Sequence, residues 1–280
     1  MVIELAPNHK IGLPLANPIL IASGFGGYGM AYQPLIDLSV FGGIVTQPIT
    51  LRPRRGSPQP RLVEVEAGFL LNTGQQNPGV RKIIRQQSKP WSRSPIPIIA
   101  HLPADDPDDL MRTARALANT QMKQGTSTLA AIELGLPLDV HPQEVITLIE
   151  VIQAATELPL LIKLPLNGPI ELAEAAADAH ADALVIGTPP VGTAYTKKEW
   201  ITGHFYGPVL FNLVLPKLRQ LLTLDLPIVA MGGIHSQAEV GTFLKAGAAA
   251  VQLDSLMFKD PVAAYKLAAA YSISVLSDKF

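Results

Sequence analysis

Polar residues with chemical potential follow, or interrupt, short apolar runs along this chain. Ser23-Gly24, Gln47, His101, Lys163, Thr188, Gly232-Gly233 and Asp254-Ser255 all stand at such run ends. Lys163 follows Leu160-Leu161-Ile162, where a buried ammonium needs a partner or a ligand. In Met231-Gly232-Gly233-Ile234-His235-Ser236, two glycines precede a helix opened by the capping box Ser236/Glu239. Backbone N–H groups there can approach an anion, which suggests a phosphate site; an ordinary Gly-rich turn is the competing reading. Ala22-Ser23-Gly24 runs into Phe25-Gly26-Gly27-Tyr28-Gly29, whose bare backbone can pack against a flat ring. Asn72, Gln75, Gln76 and Asn77 bring four carboxamides close together, which suits a neutral hydrogen-bonding ring, with Asx-turn chemistry as the alternative. His101, His141, His204 and His235 share the expected rim, but no spacing pre-organises two of them as ligands, so no metal site is expected.

The elements that must position these groups are legible as eight apolar runs bounded by Gly or Pro. They are Pro18–Ala22, Gly43–Thr46, Ile96–Ala100, Leu129–Leu134, Leu160–Leu164, Ala183–Gly187, Pro227–Ala230 and Ala249–Leu253. Helical stretches are expected at Asp108–Gln124, Glu144–Glu157, Glu171–His180, Gln237–Ala246 and Pro261–Tyr271. This alternation predicts an α/β fold of the TIM (β/α)8 barrel type, although the same runs can be partitioned into a seven-stranded open sheet. The run-end residues then gather at the carboxyl ends of the strands, where barrel sites lie. The two longest gaps, between runs two and three and between runs six and seven, are expected to build the site.

Composition narrows the function further. The chain has 280 residues, 48% of them apolar, enough for one large barrel domain over 1–280. Charged residues are 16% and the formal net charge is -1, so no nucleic-acid footprint is expected, and a surface partly hidden in a homodimer is. The absence of Cys removes disulfides, thiolate metal sites and thiol catalysis. The uncharged run Ile11–Ile36 is long enough to raise the question of a membrane span, but Pro14, Pro18, Gly24, Gly26, Gly27 and Gly29 would break a lipid-facing helix. No secretory signal opens the chain, and a cytoplasmic protein is expected.

One family unites these features. Asn17-Pro18-Ile19-Leu20-Ile21-Ala22-Ser23-Gly24, Tyr28-Gly29, Pro53-Arg54-Arg55-Gly56, Gln76-Asn77-Pro78-Gly79, Lys163-Leu164, Met231-Gly232-Gly233-Ile234 and Ala246–Gln252 occur in an order that resembles the class 1 dihydroorotate dehydrogenases. These are FMN-dependent oxidoreductases of pyrimidine biosynthesis built on TIM barrels. The resemblance implies FMN held by Ala22, Ser23, Gly24, Lys163, Thr188, Gly207, Gly232, Gly233 and Ser255. It implies a small-molecule substrate of dihydropyrimidine type near Gln47, Asn72 and Asn77, a homodimer, and room for an electron-transfer subunit.

The departures from the family pattern are as specific as the matches. Gln47 stands where the family has a flavin-site lysine, and Glu133-Leu134-Gly135-Leu136-Pro137-Leu138-Asp139 replaces the Asn-rich motif with its catalytic Cys. Asp139 is the nearest ionisable substitute. His101 replaces an Asn, and Asp254-Ser255 replaces the Gly-Thr that caps the phosphate. A carboxylate opposite a phosphate is unfavourable unless Asp254 turns away as a helix N-cap. Two functions follow as expectations: an FMN oxidoreductase with altered acid–base chemistry, or a catalytically inactive member acting as a binding or regulatory subunit.

Overall fold

The computed structural model describes residues 2–124, 129–196 and 199–272. Eight parallel strands close into a barrel in chain order: β1 (Ile19–Ile21), β2 (Gly43–Val45), β3 (Ile98–Pro103), β4 (Ala131–Gly135), β5 (Leu160–Pro165), β6 (Ala183–Thr188), β7 (Ile228–Met231) and β8 (Ala250–Leu253), with β8 pairing β1. This is the TIM-barrel architecture, and each strand falls within or overlaps one of the eight apolar runs. Helices α1 (Val80–Trp91), α2 (Pro107–Gln124), α3 (Pro142–Gln153), α4 (Glu171–Asp178), α5 (Leu210–Leu221), α6 (Gln237–Lys245), α7 (Ser255–Lys259) and α8 (Pro261–Ala269) surround it. Two long helices escape the sequence patterns. In α1 the buried positions are sparse, Val80, Ile83 and Trp91, and α5 carries Pro216 in its interior, where a helix loses a donor. Among the described residues, no helix is long and apolar enough to cross a membrane.

Side-chain alternation divides the core in two. Leu20, Val45, Ile99, Ala131, Leu161, Val185, Val229 and Ala250 point into the barrel, where they join Leu5, Leu13 and Leu15 of the N-terminal segment. Residues Ile3–Glu4 and Pro14–Leu15 of that segment pair as a small antiparallel hairpin that closes the barrel floor. The intervening residues, among them Ile21, Ile98, Ile132, Ile162 and Leu184, face the helices.

The two long gaps fold together over the opposite end. Leu62–Val65 and Gly68–Leu71 come from the β2–β3 connection, and Val191–Thr196 and Glu199–Tyr206 from the β6–β7 connection. They form one four-stranded antiparallel sheet, joined across the gaps by the pairing of Phe69–Leu71 with His204–Tyr206. This sheet is a lid on the carboxyl ends of the barrel strands.

Candidate functional site

The period of two along a strand sets the floor of the site. Two residues above the apolar inward layer lie His101 above Ile99, Glu133 above Ala131, Lys163 above Leu161 and Gln252 above Ala250. All four are buried, and Glu133 and Gln252 are fully so. His101 Nδ1 lies 2.9 Å from Glu133 Oε1, Gln252 Nε2 donates to Glu133 Oε2 at 2.7 Å, and the Lys163 ammonium is 3.6 Å from Glu133 Oε1. Lys163 Nζ also donates to Gln252 Oε1 at 3.4 Å. Burial by itself would raise the Glu133 carboxyl, but the Lys163 charge and the His101 and Gln252 hydrogen bonds outweigh it and hold the group down at about 2. Glu133 and Gln252 were missing from the sequence-based site, although inward alternation with Lys163 was a signal that could have found them.

Above this floor lies a cavity of about 570 Å3. Its walls include Ser23, Gly24, His101, Lys163 and Thr188 from strand ends, and Asn72, Thr73, His204 and Tyr206 from the lid. Asp139 also lines it but sits exposed at the rim. Gln47 and Asn77 line an adjoining pocket of about 340 Å3 with Gly24, Tyr28 and Arg54. The size fits a small organic ligand.

The carboxamides of the long loop are largely used by the loop itself. Asn72 Nδ2 donates to the Thr202 carbonyl, while its Oδ1 accepts from Ser57 Oγ and the Gly74 amide. Asn77 Oδ1 accepts from the Gly79 amide, and its Nδ2 donates to Thr50 Oγ1 and the Gln75 carbonyl. Asn77 is thus an Asx-type loop organiser, and Asn72 ties the loop to the lid.

A family profile described as dihydroorotate dehydrogenase matches residues 7–271. The chain belongs to the dihydroorotate dehydrogenase family. It is 32% identical to dihydroorotate dehydrogenase A (fumarate) of Limosilactobacillus reuteri over 96% of this chain and 92% of that protein. It is 30% identical to the catalytic subunit of dihydroorotate dehydrogenase B (NAD(+)) of Fusobacterium nucleatum, over 91% and 88%, and 31% identical to that of Bacillus mycoides, over 89% and 85%.

The family resemblance puts an FMN phosphate beside Gly232, Gly233 and Ser255, and that end of the site does not fit it. None of these three residues, nor Ala22 or Gly207, lines either pocket. Gly232 and Gly233 have φ of 122° and 74°, and a Cβ on Gly233 would stand 2.2 Å from the Phe211 nitrogen. Their freedom lets the start of α5 pack on the loop. Asp254 caps α7, its Oδ1 accepting from the Ser255 amide at 2.5 Å and from Ser255 Oγ at 2.9 Å. The N-cap geometry is therefore realised, but the carboxylate does not leave the site: it is fully buried, and Oδ2 has no hydrogen-bond partner among the described residues. Burial pushes the Asp254 carboxyl up, against the pull of Ser255, His235 and Lys163. Burial, and then the Asp254 charge, push the Tyr206 phenol well above its ordinary range. Phe25 packs edge-on against Tyr206 and Phe258, with ring centroids 5.1 and 5.0 Å away, and Phe69 stacks on Tyr206. These rings occupy the approach to α7.

Proposed function

We propose that this member of the dihydroorotate dehydrogenase family binds a small, polar, non-phosphorylated ring of dihydropyrimidine type in the lidded cavity, and that it does so without FMN in the family's place. The observation that carries this reading is Asp254, a buried carboxylate already bonded to the Ser255 donors that a phosphate would use. Burial already disfavours the charged form of Asp254, and a phosphate beside it would add like-charge repulsion, so the two anions cannot share the site unless one takes up a proton. Lys163, fixed by Glu133 and Gln252, supplies a donor to a carbonyl or carboxylate of the ring. The exposed rim residue Asp139 has no place in this scheme. A low content of charged residues, 16%, supports a homodimer, and a chain without flavin has no electrons to pass to a second subunit.

A second reading, an FMN oxidoreductase with altered acid–base residues, is favoured by one observation: Ser23, Gly24, Lys163 and Thr188 line a single cavity at the strand ends. The colour of the purified protein separates the two. A colourless protein that binds orotate in a calorimetric titration, and forms no orotate from dihydroorotate even as the Gln47→Lys variant, is expected. Stoichiometric bound flavin would overturn the proposal in favour of the oxidoreductase.

A further inference from the structure

We propose that His101 is the proton acceptor of this cavity, taking over on β3 the role for which β4 has no residue, and that the protein enolises its ring ligand. The inference rests on the ligand reading above and adds an activity to it.

Three features support it. The first is the tautomer. Glu133 is ionised at neutral pH and can only accept hydrogen bonds, so its contact with His101 Nδ1 requires the proton to sit on that nitrogen. In the neutral imidazole Nε2 is then the unprotonated nitrogen; the ring lines the cavity, and Nε2 has no hydrogen-bond partner among the described residues. An imidazole held by a carboxylate at one nitrogen and open at the other is the arrangement a general base requires.

The second is room. A Cβ on Gly135 would lie 2.6 Å from His101 Cε1 and 3.1 Å from Nε2. Gly135 ends β4 with no positive φ to explain it, so its missing side chain is accounted for by the imidazole on the neighbouring strand. Glycine on β4 and histidine on β3 are thus sterically matched.

The third is charge. Lys163 lines the same cavity and shares Glu133 with His101, so the base and an electrophilic cation stand on one scaffold. Around the ring, Glu133 faces it from β4 and Lys163 from β5, while Asp139, His204 and Tyr206 line the cavity further out.

The step is redox-neutral. Nε2 takes a proton from the carbon next to a ring carbonyl; that C–H bond breaks, an N–H bond forms, and the electron pair moves onto the carbonyl oxygen as an enolate beside the Lys163 ammonium. Reversal returns a proton to carbon, so in heavy water the carbon acquires deuterium and nothing is oxidised.

The test is deuterium exchange at C5 of dihydroorotate in heavy water, followed by proton NMR, with orotate binding measured in parallel. Wild type is expected to exchange C5, and His101→Gln to lose roughly 100-fold or more of the rate. Glu133→Gln tests the positioning role: an amide does not fix the proton on Nδ1 as the carboxylate does, so the exchange rate should fall by more than the affinity for orotate does. Wild type that binds orotate without exchanging C5 overturns the role of His101 alone. Failure of both binding and exchange overturns the ligand reading with it. Exchange that survives in a folded His101→Gln protein also refutes the assignment.

Discussion

The ammonium of Lys163 stands 3.6 Å from Glu133 Oε1, and Glu133 is fully buried with Lys163 as its main compensating charge. The pair anchors the floor of the cavity and makes stability depend on pH in a defined direction. The Glu133 carboxyl is held at about 2 against an ordinary value of 4.5, so below 4.5 the unfolded chain binds the extra proton first. The stabilisation is complete above the ordinary value and is lost as pH falls toward 2. It amounts to about 3 kcal/mol. Urea denaturation across that window should show the wild type losing stability more steeply than Glu133→Gln; parallel slopes would contradict the ion-pair account.

Removing the other partner should be harsher. In Lys163→Met the Glu133 carboxylate keeps His101 and Gln252 but loses its cation, and a buried charge left unpaired typically costs about 3–5 kcal/mol. The double variant Lys163→Met/Glu133→Gln should recover much of the loss. Denaturant midpoints of the three variants measure this, and a double variant no more stable than Lys163→Met would show that the two groups are not coupled.

Gly135 and His101 should be coupled by volume. Gly135→Ala places a methyl 2.6 Å from His101 Cε1 and must displace the ring, an overpacking cost of about 1–3 kcal/mol. In a His101→Ala background the same substitution meets no imidazole and should cost less than half as much. Equal penalties in the two backgrounds would rule out the coupling.

Asp254→Asn keeps an oxygen to cap α7 and removes the charge. We expect it to gain affinity for FMN over wild type by at least tenfold, while affinity for riboflavin, which has no phosphate, changes little. Because Asp254 is fully buried, the gain should persist at high salt, where exposed charges are screened within about a Debye length. Flavin fluorescence titrations at two ionic strengths read this directly; equal gains for both flavins would assign the effect to space and not to charge.

The sequence by itself determined the barrel. Apolar runs such as Leu160–Leu164 and Ala183–Gly187 are local signals, as is the capping box in which Glu239 Oε2 accepts the Ser236 amide at 2.7 Å, and each survives into the fold because burial and capping act over a few residues. The same locality explains the failures. In α5, Pro216 speaks against a helix, and only packing of Leu210, Val214, Leu218 and Leu221 on the barrel overrides it. The lid sheet joins residues more than 130 positions apart, so its pairing is invisible in either segment. The site itself was decided by tertiary structure. His101, Glu133, Lys163 and Gln252 lie on four strands, 119 residues separate Glu133 from its Gln252 donor, and barrel closure alone sets the register that brings them together. The direction of the Asp254 carboxylate was likewise open in the sequence. It was fixed by the Ser255 donors at the start of α7, because a side chain's rotamer answers to its neighbours in space.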